Sequence, residues 1–188
     1  VTDNEEVIAS EWTTILIYFG LAAYALHLYF REFIDSVHRM GIRKFVVAVV
    51  IGSLLVISCN VLGGIIRAGV TGELLSQNQE SVNTWAATFL AAAFLRYVVC
   101  VPIFEETIFR YILQGWLRGK FKKGGAFFAV LISGTLFALV HVATPADLIQ
   151  YLPIALLLGT IYEKTRCISL TICIHSVYNL IVLVLQSM

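Results

Sequence analysis

The sequence has 188 residues, 59% of them hydrophobic and only 13% charged, with a net charge of +1 and a mean hydropathy of +0.86. A soluble domain of this size carries roughly 25% charged residues, so the composition excludes an ordinary water-soluble domain and makes lipid the outer solvent. Near-neutral charge without a large basic cluster excludes nucleic acid as a partner. Cys59, Cys100, Cys167 and Cys173 lie in or beside apolar runs without CxxC spacing, and read as small hydrophobes rather than a disulfide framework or metal cage. The chain opens on Val1, which implies an upstream portion cut away or left out, and no signal-peptide pattern precedes the first apolar run.

A helix needs about 20 apolar residues to cross the hydrocarbon core. In chain order, Trp12–Phe30 and Phe45–Ile66 meet that length, with a basic connection, Arg31 to Lys44, between them. The next apolar stretch, Trp85–Leu117, would be about 50 Å long as one helix. It is therefore expected to bend, with Pro102 the natural place, leaving Arg96–Leu117 as the crossing and Arg96 snorkelling to the outer interface. Ala126–Val142, Leu148–Tyr162 and Ile168–Leu185 follow. Gly20, Gly52, Gly134 and Gly159 are ordinary in membrane helices, where small residues allow close approach. The runs are too continuous for a β-barrel. The expectation is an all-α, polytopic membrane bundle of about six transmembrane helices, one domain over residues 1–188. Arg31 to Lys44 holds four basic residues against two acidic, and Arg118 to Lys123 four against none, whereas the first dozen residues carry Asp3, Glu5, Glu6 and Glu11. The positive-inside rule then puts the basic loops in the cytoplasm and the amino terminus outside.

Ionisable residues at bilayer depth cost about 2.5 kcal/mol or more if they face lipid, and so mark function by default. Three clusters qualify. In "FEETIFR", Glu106 and Arg110 are four apart and pair along one helix face, while Glu105 points about 100° away, without a partner from that pairing. In "FALVHV", Phe137 and His141 share the spacing. In "HSVYN", His175 and Asn179 do. Counted from the nearest cytoplasmic charges, Glu105, His141 and His175 lie about 20, 27 and 14 Å deep. They can open into one intramembrane cavity if tilt or a helix break absorbs the spread. His27 and His38 have no comparable neighbours and read as bland.

Each piece alone has a structural reading: a helix-locking ion pair, or a hydrogen-bonded core histidine. Together they suit hydrolysis. A carboxylate in an apolar cavity takes a proton from water readily, and two imidazoles and a carboxamide can donate hydrogen bonds to an oxyanion, or the imidazoles can bind a divalent metal. Water activated by Glu105 would attack a peptide carbonyl. H-E-x-x-H and G-x-S-x-G are absent, and Asp147 is the only aspartate after residue 35, so no aspartate pair is available.

The ordered motifs Glu105-Glu106-Thr-Ile-Phe-Arg110, Phe137-Ala-Leu-Val-His141 and His175-Ser-Val-Tyr-Asn179 resemble those of the CAAX protease and bacteriocin-processing (CPBP, or Abi) family, which includes the type II CAAX prenyl proteases. The likeness covers residues 95–183, with Gly159 and Tyr162 also in familiar places. It implies an intramembrane endopeptidase acting on membrane-associated peptides or proteins, with Glu105 catalytic and His141, His175 and Asn179 lining the same cavity. Glu106, Arg110 and Phe137 would support them. Two mechanisms stay open: glutamate-activated water with no cofactor, or a metalloprotease with zinc at Glu105, His141 and His175. The compact chain is typical of prokaryotic members, hence an integral protein of a prokaryotic cell membrane. Cys167 to Leu170 replace the glycine-containing turn often found before the last motif helix. Readings from other classes are a non-catalytic scaffold or bacteriocin-immunity protein that binds a peptide in the same cavity, and a proton-coupled transporter, for which no inverted repeat is evident.

Overall fold

A computed structural model describes residues 2–73, 76–80, 82, 90–121 and 123–186, without the side chains of 2–11 and 186. The acidic side chains before Trp12 and the expected start of the third apolar stretch at Trp85 lie outside the described residues. Among those described there is no strand, and the chain is a helical membrane bundle.

Helix α1 runs Thr2–Met40, with one non-helical residue at Tyr29 (φ −129°, ψ 22°). Helix α2 runs Ile42–Thr71. The expected polar connection between them shrinks to Gly41, whose φ of +80° a side-chain-bearing residue would adopt at a cost. Charge had been taken there for a loop. Arg, Lys and Glu are good helix formers, and Ser36 uses the helical register to meet Ser169.

From Leu90 to Lys120 the backbone is helical throughout (α3), but it changes type. Short α segments at Leu90–Ala93, Val101–Glu106 and Gly115–Lys120 alternate with π-helix at Phe94–Cys100 and Thr107–Gln114. Wide π turns are rare and gather at functional sites; here they flank the paired glutamates on both sides. Pro102, where a bend was expected, sits where the π turn of Phe94–Cys100 passes into the central α segment, and its missing N–H removes one bond from the helical ladder there.

Helix α4 is Gly125–Leu139, shorter than the expected Ala126–Val142 at its far end. A 3-10 turn at Pro145–Asp147 leads into α5, Leu148–Thr165, and α6 is Ile168–Gln186. Among the described residues, four stretches are long and apolar enough to cross a membrane: Trp12–Met40, Ile42–Thr71, Pro145–Thr165 and Ile168–Leu185. The expected count of six is not reached by these four; the segmented α3 and the 15-residue α4 are not among them.

Helix α5 packs against α2 and α4, and α6 against α2 and α3, while α1 covers the middle of α3. At Gly63 an added Cβ would meet Gln150 Cα at 2.8 Å and the Ile149 carbonyl at 2.9 Å, so α2 and α5 touch backbone to backbone. Leu16, Phe19 and Leu28 on α1 and Leu54, Leu62 and Ile65 on α2 remain exposed, the surface lipid would cover.

Candidate active site

The central α segment of α3 presents its two glutamates in different directions, because neighbours on a helix are about 100° apart. Glu106 turns inward and is fully buried. Its Oε2 lies 3.3 Å from Arg110 Nε, as the four-residue spacing predicts. Arg110 also donates to the Ala155 carbonyl on α5 at 3.2 Å, and its guanidinium lies 4.3 Å over the Phe137 ring. The other Glu106 oxygen accepts from His175 Nδ1 at 3.1 Å. A buried ion pair gains from further bonds to its atoms; here they reach Glu106 Oε1 and Arg110 Nη2, while Arg110 Nη1 is buried without a hydrogen-bond partner.

Glu105 faces the opposite way, into a cavity. Its Oε1 lies 3.4 Å from His141 Nε2 and its Oε2 3.9 Å from His175 Nε2. Glu105 therefore gains two neighbours that sequence spacing had not given it. His141 does not sit inside a helix, contrary to the expected Ala126–Val142 span. Helix α4 ends at Leu139 and His141 occupies the turn beyond it, its N–H donating to the Ala138 carbonyl at 3.0 Å. The imidazole Nδ1 meets the Phe137 carbonyl at 2.8 Å and the ring stacks on Phe137 at 4.5 Å. The F-x-x-x-H spacing thus works as a helix end, the histidine satisfying a carbonyl that the last turn leaves open.

Helix α6 carries His175 and Asn179 on one face, as expected. Asn179 Nδ2 donates to the Tyr97 carbonyl of α3 at 2.7 Å, which fixes the carboxamide on the cavity wall.

These contacts set the histidine tautomers. A backbone carbonyl only accepts, so Nδ1 of His141 carries a hydrogen. Glu106, the partner of Arg110, also accepts, so Nδ1 of His175 carries one too. In the neutral rings both Nε2 atoms are then bare acceptors turned toward the Glu105 carboxylate. With both rings neutral, a water molecule between these acceptors can donate to two of them; with a ring protonated, its Nε2–H faces the Glu105 carboxylate directly. Among the described residues no ready-made cage of three or more His, Cys, Asp or Glu side chains is formed. The donor types still fit zinc, and each Nδ1 bond is of the kind that orients a metal-binding histidine.

The cavity measures about 610 Å³ and takes walls from α1 (Tyr18), the segment around Asn78, α3, the end of α4, α5 and α6. Arg96, expected at the outer interface, lines it between the rings of Tyr18 and Tyr97, 5.2 and 5.1 Å from their centroids. All seven residues singled out from the sequence meet here or directly behind. Spacing gave no sign of Tyr151, whose ring lies 5.5 Å from His141, or of the Tyr97 carbonyl. Their contacts join helices far apart in the chain.

Residues 85–181, just over half of the chain, match the family described as type II CAAX prenyl endopeptidase Rce1-like. Among similar proteins, the UPF0177 protein YbdI of Lactococcus lactis subsp. lactis (strain IL1403) is 29% identical over 56% of this chain and 56% of its own length. UPF0177 protein YaiH of the same strain is 32% identical over 61% of this chain and 43% of its own. The protein named "Putative membrane peptidase YdiL" in Bacillus subtilis (strain 168) is 36% identical over 57% of this chain and 44% of its own. The chain thus covers less than two thirds of these relatives' lengths. No solved structure matches it.

Proposed function

Because the chain belongs to the Rce1-like family of type II CAAX prenyl endopeptidases, we propose that it is an intramembrane endopeptidase that hydrolyses peptide bonds of membrane-associated peptides or proteins. The observation that carries this is the convergence of Glu105 with the Nε2 atoms of His141 and His175 in one cavity.

In this mechanism a water molecule donates one hydrogen to Glu105 and the other to an imidazole Nε2. As its oxygen attacks the scissile carbonyl, Glu105 takes the first proton and later gives it to the amine nitrogen when the C–N bond breaks. The products are a carboxylic acid and an amine, which exchange a proton to become carboxylate and ammonium, with no covalent enzyme intermediate. Asn179, aimed by the Tyr97 carbonyl, donates to the oxyanion. The imidazoles cannot donate from a bare Nε2. They assist the oxyanion only after one of them takes up a proton, and their first role is to hold the water. Glu106 and Arg110 keep His175 in the productive tautomer, and Phe137 keeps His141 in its turn. The second reading follows from the same bare nitrogens: Glu105, His141 and His175 would hold zinc, which when bound polarises a carbonyl and makes water more acidic.

The test is cleavage of a fluorogenic membrane-peptide library by purified protein, wild type beside Glu105→Gln, with and without a chelator. Glutamate-activated water predicts a loss of about 10²-fold or more in the variant and none with chelator. Loss with chelator as well supports the zinc reading. Equal cleavage by wild type and variant removes Glu105 from the chemistry, and a variant that binds peptide while neither protein cleaves it favours the scaffold.

A further inference from the structure

Away from the motifs, a second fully buried ion pair joins the end of α2 to the turn that carries His141. Arg67 and Asp147 are 1% and 0% exposed, and Arg67 Nε donates to Asp147 Oδ1 at 2.6 Å. The other carboxylate oxygen accepts the backbone N–H groups of Ala143 at 3.0 Å and Thr144 at 2.8 Å. Those amides lie two and three residues beyond His141. The turn is therefore pinned on both sides of the histidine: before it by the carbonyls of Phe137 and Ala138, after it by Asp147.

The same arginine also reaches Glu73. Its Nη1 donates to the Glu73 carbonyl at 3.1 Å and its Nη2 approaches the Glu73 carboxylate at 3.4 Å. A few residues on, Ser76 and Asn78 bond the Tyr151 hydroxyl at 2.9 and 3.2 Å. The Tyr151 ring lies against His141, tilted by 30°. Arg67 thus stands behind the backbone turn of the imidazole, and Ser76 and Asn78 hold the ring beside it.

Stability alone is a poor account of such a pair. Desolvating two charges costs about as much as their attraction returns, and apolar replacements of similar volume are often neutral or better. Orientation is what an apolar pair could not provide, since the turn amides need an acceptor at a fixed place. We propose that Asp147, held by Arg67, is a positioning residue that sets His141 Nε2 against Glu105. The catalytic consequence rests on the endopeptidase reading above; the placement of His141 does not.

Three full-chain variants test it: Asp147→Leu, which removes the acceptor, the double variant Arg67→Met/Asp147→Leu, which also leaves no buried unpaired charge, and Arg67→Lys, which keeps the charge. Two readouts are taken on folded protein in detergent. One is kcat and KM for a cleaved peptide. The other, independent of cleavage, is the rate at which diethyl pyrocarbonate modifies His141 relative to His175, by mass spectrometry. Loss of a partner that orients a site histidine typically costs about 10–100-fold. Both Asp147 variants are expected to lose that much in kcat with KM little changed and to alter the His141/His175 modification ratio, while Arg67→Lys retains both. Wild-type kcat and ratio in the folded double variant would overturn the proposal. Failure of the double variant to fold would also overturn it, by assigning the pair to stability. If wild type cleaves nothing, the endopeptidase reading fails, and the modification ratio still decides whether Asp147 positions His141.

Discussion

Glu105 and Glu106 are chemically identical neighbours in opposite situations. Glu106 is sealed among Arg110 and His175, whereas the Glu105 side chain is 17% exposed and faces a cavity. Replacing Glu106 by Gln leaves the Arg110 guanidinium buried without its counter-charge, which costs about 3–5 kcal/mol. Glu105→Gln removes no such partner, and its effect on stability should stay within about 0.5 kcal/mol. Unfolding midpoints of the two variants in the same detergent check this, and similar midpoints would refute the division of roles. The sequence made the Arg110 partnership readable because four residues is one helix turn. The His175 partnership spans 69 positions, and no local periodicity encodes a contact between separate helices. The residues of the site were legible, but their hydrogen-bond partners were not.

At the scale of elements, hydropathy located α2, α5 and α6 well and misplaced the ends of α1 and α4. Val140 and Val142 are as apolar as the helix before them, so composition carries no mark of the stop at Leu139. The mark is the His141 imidazole on the Phe137 carbonyl, which only geometry reveals. Hydropathy also cannot rank glycines that look alike in sequence. Gly63 abuts the backbone of α5, while nothing lies within 4 Å of a Cβ placed on Gly20. Gly63→Val should force α2 and α5 apart and destabilise by about 1–3 kcal/mol. Gly20→Ala should be neutral or stabilise by about 0.5–1 kcal/mol, because alanine is the better helix former. Thermal melting of the two variants distinguishes them. An unshifted midpoint for Gly63→Val would mean that α2 and α5 are not in backbone contact.

The whole molecule is arranged as an outer pair and an inner set of helices. In their most apolar windows, α1 and α2 are each 22% buried, against 44% for the span containing α5 and 50% for α6. Helices α5 and α6 are thus more enclosed by protein than α1 and α2, with α1 still contributing Tyr18 to the cavity. The cavity is therefore a product of the assembly rather than of the family-matched residues alone, and its shape should set which substrate side chains are accepted. Val182, on the face of α6 that also carries Asn179, lines this space without touching the polar site by any hydrogen bond or ion pair described here. Val182→Trp should fill part of the cavity while leaving Glu105, His141 and His175 in place. A pocket discriminates a single methylene by roughly 10-fold or more. The variant should therefore lose about that much kcat/KM for peptides with Leu or Phe beside the scissile bond, and much less for peptides with Ala there. Parallel measurements on the two peptide sets decide it. A uniform loss would point to damage at the catalytic groups, and no loss in either set would mean that substrate does not occupy this cavity.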